Sequence, residues 1–399
     1  MGRGGADLSR HWTLDPEITF LNHGSFGACP SPVLDAQRRF REQMEREPVR
    51  FLTREAPLLL GEAREALGQF IGASPEDLAF VPNATTGLNA VLRSLSLAAG
   101  DELLVTDHEY NASRNALEYV AARHGARVVV ISIPFPIAGA DPIVEAVLGG
   151  VTAKTRLALL DHVTSHTALV LPIGELIGKL EARGVPVLVD GAHAPGMLDL
   201  DIDALAPSYY TGNCHKWICA PKGAGFLWVR EDRREGVRPA VISHGANAPV
   251  PRSERFRAEF DWMGTTDPSA ALAVPCAIRF LDALLPGGWG EIRARNHALA
   301  LQGRRLLVDA LEVEVPCPDE MIGSMAAIPL PASSRFPIPE GAHAFGLNPL
   351  HDALFRERRI EVPLLLDPVG KTRLVRVSAQ LYNTRDDYER LAAALLALL

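Results

Sequence analysis

The chain has 399 residues, 47% of them hydrophobic, which is enough for one main domain and a smaller second one. A formal net charge of -8 and a pI near 5.9 argue against nucleic acid or an anionic membrane as the main partner. The five cysteines are scattered, which argues against a disulfide framework or a structural zinc site. With no apolar segment of signal-peptide length near the start and a final LAAALLALL too short to span a bilayer, we expect a cytoplasmic protein with no membrane partner.

After an irregular start, the sequence predicts a short strand and a Gly/Pro-rich turn in ITFLNHGSFGACPSP, followed by two helices. Ser31 is expected to cap the first of these, which ends near Glu47, and the second covers Pro57 to Ile71. Apolar strands then alternate with helices, which predicts an α/β fold with a mostly parallel sheet between helices. The predicted elements are strand 78–81, a helix opened by NATTG, strand 102–106, helix 113–124, strand 127–131, helix 142–148, strand 156–160, helix 173–183 and strand 187–189.

A further strand, perhaps antiparallel, is predicted at 223–229, after which the alternation stops. The remaining predicted elements are helices 267–285 and 289–312, strand 325–330, helix 349–358, strands 361–365 and 372–378, and a helix from Arg385. This last part predicts a smaller α+β domain. We therefore expect an N-terminal segment at 1–20, a large domain at 21–285 and a small domain at 286–399, divided near Pro286-Gly-Gly.

Two strand ends in the stretch from Val185 to Trp228 carry an acid and an amine. Asp190 follows the apolar run 187–189, and Lys216 is the last residue of TGNCHK, where a second run ends. Because open α/β sheets bind ligands at the carboxyl ends of their strands, we expect both groups at one ligand site. The chain has 5 lysines against 35 arginines, so a lysine at this place points to a chemical role. A lysine amine can condense with an aldehyde, and Lys222 in PKGAG is the alternative nucleophile.

Other motifs follow the same pattern of polar residues after strands. Thr85 and Thr86 in NATTG begin a helix, where backbone amides and the helix dipole suit a phosphate group, although helix capping alone explains such residues equally well. His108 and Tyr110 follow the next strand, and either ring could stack on a planar cofactor. A metal site built on Asp161, His162 and His166 is a weaker interpretation, because no HExxH glutamate is present.

Seven motifs together resemble the class V aminotransferases of pyridoxal phosphate (PLP) fold type I, and most closely the isopenicillin N epimerase-like branch. They are NATTG, DHEY, DHVTSHTALV, DGAHAPG, GNCHKW, MGTTDPS and RVSAQLYNT, with FLNHGSFG and the HKW–PKG segment pointing to the branch. The resemblance extends from about Thr19 to the end of the chain. It implies a PLP cofactor, a seven-stranded-type sheet and a homodimer with its active site at the interface.

The resemblance also implies a role for each matching residue. Lys216 would bond to the cofactor and move a proton, Asp190 would pair with the pyridine nitrogen, and Arg376 would bind the substrate carboxylate. The other implied cofactor contacts are Thr85, Thr86 and His215 at the phosphate, His108 or Tyr110 on the ring face, Ser165 and His193 at the ring hydroxyl, and Thr265 across the dimer interface. Further substrate contacts would be Asn22, His23 and Arg50.

One departure bears on the reaction. The loop before Arg376, EVPLLLDPVGKTRLVR, lacks the cysteine that cysteine desulfurases carry there, which argues against persulfide chemistry by that route. The prediction is therefore a PLP enzyme that takes the α-proton from an amino acid or other small amine, as an epimerase, an aminotransferase or a C–S lyase. The alternatives are a non-catalytic binding or assembly protein with the same fold and, less favoured, a metal-dependent hydrolase.

Overall fold

A computed structural model describes residues 8–338 and 348–399. Seven strands form the main sheet, in the spatial order 78–81, 225–229, 209–213, 187–191, 155–161, 102–106 and 127–131. Gly225–Val229 is antiparallel to both of its neighbours, and the other adjacent strands are parallel. The mostly parallel sheet and the antiparallel strand that the sequence predicted are thus confirmed.

Alternation along the strands explains why helices cover both faces of this sheet. Leu104 and Val189 belong to one apolar core, whereas their neighbours Leu103 and Leu188 belong to a second core on the opposite face. The helices of the larger domain are Ser31–Arg46, Ala56–Ile71, Ala84–Ser94, Asn111–His124, Asp141–Gly149, Ile173–Glu181, Arg255–Asp261, Ser269–Leu272 and Val274–Asp282, with short turns at His23–Phe26, Pro48–Arg50 and Ile202–Leu205.

A smaller α+β part follows in the sequence. Its antiparallel sheet has the order Leu364–Leu366, Arg373–Ser378 and Met325–Pro329, and its helices are Gly288–Leu311, Pro349–Arg358 and Arg385–Leu398. The predicted smaller domain is confirmed, while the boundary near residue 285 stays a prediction. Of the residues described, no helix is both long enough and apolar enough to cross a bilayer.

Three local predictions were wrong. Ser31 is the first residue of its helix, with Pro30 at the N-cap and no side-chain cap. The single helix predicted at 267–285 is two helices that meet at Ala273. The single strand predicted at 361–365 is interrupted by Pro363, which has no N–H to donate. Its first part, Ile360–Glu361, pairs in parallel with Thr19–Phe20 instead of joining the three-stranded sheet.

The carboxyl edge of the main sheet positions the site. Asp161 and Asp190 lie opposite each other at the ends of adjacent parallel strands, and Asp190 is in register with Thr211 of the next strand. The chain leaves that third strand at Asn213 and reaches Lys216 three residues later. The predicted acid and amine are therefore at the same edge because three parallel strands end there.

Candidate active site

Lys216 follows a tight turn that the adjacent antiparallel strand holds in place. The backbone N–H groups of Cys214 and His215 both donate to the carbonyl of Ala224. The Nζ atom of Lys216 lies 3.1 Å from Nε2 of His193. Burial and the charge of Arg376, against an opposing effect of Asp190, lower the pKa of Lys216 to about 7. About half of the amine is consequently neutral near pH 7, as a nucleophile or a base requires.

Asp190 is buried at the end of strand Val187–Gly191, and its carboxylate is held from two sides. Oδ2 accepts a hydrogen bond from Ser113 Oγ at 2.9 Å, and Oδ1 accepts one from the Ala192 N–H at 3.0 Å. Burial raises the pKa of Asp190, and these two donors and the charge of Lys216 act against that rise. A cation bound beside Asp190 would favour its ionised form, as the predicted pairing with a pyridine nitrogen requires.

Two further carboxylates lie next to Asp190, and one of them, Glu109, carries no functional signal in the sequence. Ligand oxygens of Glu109, Asp161 and Asp190 are within 4.8 Å of one another, and all three side chains are buried. Burial and the neighbouring carboxylates raise the pKa of Glu109 and of Asp161 well above their usual values. Like charges this close favour a protonated group among the three.

The three residues of the less favoured metal site, Asp161, His162 and His166, do not form a ligand cluster among the described residues. Asp161 clusters with carboxylates and not with His162 and His166. His162 instead shares a hydrogen bond of 2.9 Å between its Nδ1 and the hydroxyl of Tyr210, and burial lowers its pKa to about 4. His162 is therefore a buried residue with a partner of its own.

A cavity of about 320 Å³ joins the two parts of the chain at this edge. Six of the predicted site residues line it, namely Asn22, Tyr110, Ser165, His193, Lys216 and Arg376. Residues that the sequence reasoning missed complete the lining, including Ser25, His166, Asn348, His351, Glu361 and Leu364. Among the polar ones, Ser25 comes from the first part of the chain, His166 from its middle and the others from its last part, so no local motif marks their proximity.

Arg376 lies on the central strand of the small sheet and reaches across the cavity. One of its terminal nitrogens donates to the carbonyl of Ser165 at 2.5 Å, and the other donates to Ser25 Oγ at 2.9 Å. Its Nε is buried without a hydrogen-bond partner among the described residues. Burial lowers the pKa of Arg376 to about 10, so the group remains cationic near neutral pH. A buried guanidinium with a free donor is suited to bind a substrate carboxylate.

The predicted phosphate residues lie at the start of helix Ala84–Ser94. The side chain of Asn83 caps this helix by accepting from the Thr86 N–H at 2.9 Å and from the Thr86 hydroxyl at 3.1 Å. The Ala84 N–H donates to Asn213 Oδ1 at 2.8 Å, which ties the helix start to the strand before Lys216. His215 donates from Nδ1 to the Ala224 carbonyl at 2.9 Å, so Nε2 is left for another partner. Thr85, Thr86 and His215 are all partly exposed.

Besides Asp190, Thr85, Thr86 and His215, four other predicted site residues do not line the cavity. His108 is buried, with Nδ1 bonded to Thr167 at 2.8 Å and Nε2 to the Ile133 carbonyl at 3.1 Å. His23 is buried, with both ring nitrogens bonded. Arg50 has a side chain that is 68% exposed and pairs with Glu55. Thr265 is exposed on the surface of this single chain.

The residues present fit PLP on two independent observations. The first is the buried acid, Asp190, at the same edge as an amine that titrates near pH 7. The second is the Nδ1 atom of His193, which is buried without a partner among the described residues. Burial and the charge of Lys216 lower the pKa of His193 well below its usual value. When Lys216 is protonated it donates to Nε2, so the ring proton of His193 is on Nδ1, where a phenolic oxygen would satisfy it.

Comparison with known proteins agrees with this geometry. The chain is 40% identical to an isopenicillin N epimerase of Amycolatopsis lactamdurans over 98% of both chains. It is 32% identical to a probable chloroplastic L-cysteine desulfhydrase of Arabidopsis thaliana, over 98% of this chain and 85% of that one. A structure of a lysine-to-alanine variant of C-DES, with glycine covalently linked to its PLP cofactor, superposes with a TM-score of 0.80 at 21% identity, over 98% and 99% of the two chains.

The profile of the family described as "Aminotransferase class-V" matches residues 21–332. This match, the two relatives and the fold confirm the predicted family, the predicted PLP fold type I and an enzyme that uses PLP. The chain belongs to the class V aminotransferase family of PLP-dependent enzymes.

Proposed function

We propose that this enzyme removes the α-proton of an amino acid and returns it to the opposite face, and so acts as an amino-acid epimerase. One observation carries the proposal: Lys216, whose amine is partly neutral near pH 7, and Arg376, whose Nε has no partner among the described residues, line the same cavity of about 320 Å³. The first group suits proton transfer and the second suits a carboxylate, and an α-amino acid needs both.

Each side chain has a defined task in this proposal. Arg376 binds the substrate carboxylate and thereby fixes the α-carbon near Lys216, whose neutral amine accepts the α-proton. PLP, when bound, supplies an electron-withdrawing ring, and the ionised Asp190 favours the protonated state of that ring. His193 donates from Nδ1 to the ring oxygen, while Tyr110, which lines the cavity, packs on the ring face.

The phosphate of PLP is assigned to the start of helix Ala84–Ser94. Thr85 and Thr86 offer hydroxyl groups there, and backbone amides and the helix dipole favour an anion. His215 lies near the same helix start, because Asn213, two residues before it, is hydrogen-bonded to Ala84. The Nδ1 atom of His215 is bonded to a carbonyl, so its Nε2 can contact the phosphate. A bound dianion would raise the pKa of His215, which burial lowers to about 4, and would so favour donation from Nε2.

Epimerisation is favoured over the other reactions of the family by sequence similarity. The isopenicillin N epimerase of Amycolatopsis lactamdurans shares 40% of its residues with this chain over almost the full length of both. C–S bond cleavage is the second candidate, since the Arabidopsis relative is named a probable L-cysteine desulfhydrase. Because no cysteine belongs to the described lining of the cavity, a persulfide carried on a cysteine of this chain is not part of either candidate.

We also propose a cytoplasmic homodimer with its active sites at the interface. Thr265 is exposed in the single chain. A residue that contacts the cofactor phosphate of the partner subunit would have to be exposed in this way. All five cysteines are free, which is compatible with a reducing compartment. Sedimentation of the purified protein at twice the mass of one chain would support the dimer.

Deuterium exchange tests the function. The PLP-loaded protein is incubated in deuterium oxide with a panel of L- and D-amino acids, and the products are analysed by mass and chirality. Epimerisation predicts α-deuteration with the appearance of the other enantiomer, and C–S cleavage predicts loss of a sulfur-containing group. Cofactor uptake without α-deuteration of any panel member by wild-type protein would favour the non-catalytic alternative. A Lys216→Ala variant is the control, because it lacks the base but keeps the other residues of the cavity.

A further inference from the structure

His23, in the turn His23–Phe26, contacts the protein backbone beside Lys216 and not the cavity. Its side chain is fully buried. The ring lies 4.8 Å from the ring of Trp217, centroid to centroid, with an angle of 54° between their planes. The predicted role of His23 in substrate binding is therefore without support in the single chain, and its contacts indicate a different role.

The hydrogen bonds of His23 determine its tautomer. The Ala28 N–H points at Nδ1 over 3.3 Å, so Nδ1 carries the lone pair and also accepts from the Tyr382 hydroxyl at 2.8 Å. Nε2 then carries the proton and donates to the Lys216 carbonyl at 3.0 Å. The amide nitrogen of Gln380 is also 3.3 Å from Nε2, but it can direct a proton to the sulfur of Cys219 at 3.6 Å.

Charge plays no part in this contact near neutral pH. Burial lowers the pKa of His23 to about 3, and the charges of Lys222 and Lys216 lower it further, against the effect of the bond to the Lys216 carbonyl. The ring stays neutral, so it acts through one fixed N–H donor and not as an acid or a base.

The turn that carries His23 packs directly on the backbone around Lys216. Gly27 has a φ of +70°, and a Cβ atom there would overlap the His215 carbonyl oxygen and lie 2.9 Å from that of Lys216. The Lys222 ammonium donates to the Gly27 carbonyl at 2.8 Å, which fixes the other end of the turn. Close backbone approach of this kind needs glycine.

We propose that His23 is a positioning residue for Lys216, and that Tyr382 positions His23 in turn. The inference rests on the proposed function, because it assigns a task to a residue behind the reacting lysine. One imidazole, His23, holds the backbone carbonyl of Lys216, while a second, His193, lies 3.1 Å from its Nζ. The lysine is thus held at both ends, and its amine stays within reach of the cavity. A small displacement of a reacting group is enough to slow a reaction about 100-fold.

The test compares three variants that differ in the donor they keep. His23→Leu removes the N–H, His23→Gln keeps an amide N–H near the place of Nε2, and Tyr382→Phe removes the hydroxyl that donates to Nδ1. His297 offers a matched control, since its Nδ1 donates to the Gly323 carbonyl at 3.1 Å and it does not line the cavity. His297→Leu removes a bond of the same kind that does not involve Lys216.

Two readouts are needed, one of them without substrate. The first is the pH dependence of the absorbance of bound PLP, which reports on the bond between cofactor and Lys216. The second is the α-deuterium exchange rate, separated into kcat and KM. We expect His23→Leu to shift the absorbance titration and to lower kcat by roughly 10- to 100-fold, with KM within about twofold, because Arg376 is untouched. His23→Gln should restore most of kcat, and Tyr382→Phe should lower it several-fold.

A folded His23→Leu variant with an unchanged titration and kcat would overturn the inference. So would a loss of kcat that His23→Gln does not restore, or an equal loss in His297→Leu. If His23→Leu does not fold, an unchanged titration in Tyr382→Phe overturns it equally. Failure of the proposed function is a separate result, namely wild-type protein that takes up no PLP or exchanges no α-proton.

Discussion

The pH dependence of cofactor uptake tests the electrostatics of Lys216 directly. An amine reacts with an aldehyde only when it is unprotonated. Burial and the charge of Arg376 lower the pKa of Lys216 from 10.5 to about 7. At pH 7 about half of the amine is then neutral, against roughly one part in three thousand for an unshifted lysine, a difference on the order of a thousandfold.

Uptake of PLP by cofactor-free protein is followed by absorbance across the neutral and alkaline range. We expect the rate of uptake to rise with pH, because the amine loses its proton, and to level off above about pH 7. Arg376→Leu should move the midpoint upward, since it removes a neighbouring cation. Lys222→Arg is the control, because it keeps a cation near Gly27, and its midpoint should equal that of the wild type. A wild-type midpoint near 10 would show that neither burial nor Arg376 lowers the pKa of Lys216.

Three further predictions concern the other walls of the site. Asp190→Asn should slow α-deuterium exchange by roughly 100-fold or more in single-turnover measurements, because a neutral amide cannot favour a protonated ring. An unchanged exchange rate would remove Asp190 from its assigned role. Arg376→Lys should lower kcat/KM by roughly 10- to 100-fold, because it loses a charge-assisted hydrogen bond of about 1.5–3 kcal/mol. Steady-state kinetics on a monocarboxylic amino acid measures this change in kcat/KM. An equal kcat/KM for the two enzymes would contradict carboxylate binding by Arg376. Glu361 lines the cavity and accepts a hydrogen bond from Asn22 at 2.9 Å. Burial acts to raise the pKa of Glu361, but its hydrogen bonds with His351 and Asn22 lower it, so the side chain is anionic. Glu361→Gln should therefore raise kcat/KM for substrates with acidic side chains relative to those with basic ones, and a ratio that does not move would show that substrate side chains do not reach this wall.

Strand ends were predictable from the sequence because they depend on local patterns. Apolar runs that stop at Asp190 and before Lys216 are visible in the sequence, and parallel pairing necessarily places such ends at one edge. The motif resemblance added Ser165, His193 and Arg376, and the structure places all three around the cavity. How far each contributes to catalysis stays a prediction until it is measured.

Side-chain direction in the loops was not predictable, because it depends on contacts that are distant in the sequence. His108 and Tyr110 are two residues apart in DHEY, yet Thr167 and the Ile133 carbonyl hold the histidine in the interior while the tyrosine faces the cavity. His23 was assigned to substrate because its motif resembles that of the branch. Its bond to the Lys216 carbonyl spans 193 residues of sequence and leaves no local trace.

The carboxylate cluster had a partial signal in the sequence. Asp161 and Asp190 both end apolar strands, so their proximity follows from parallel pairing. Glu109 comes from the turn after a third strand, and only the folded chain brings it within 4.8 Å of the other two. The raised pKa of all three groups therefore could not be inferred from the motifs.

Borohydride reduction of the PLP-loaded enzyme, followed by peptide mass analysis, tests whether Lys216 is the lysine that bonds to PLP. Reduction makes the bond between a lysine amine and the cofactor permanent, so the modified lysine can be identified. The account predicts that the added cofactor mass is found on the peptide that contains Lys216. Modification of Lys222 alone, or no added mass on any peptide of a protein that has been saturated with PLP, would contradict it.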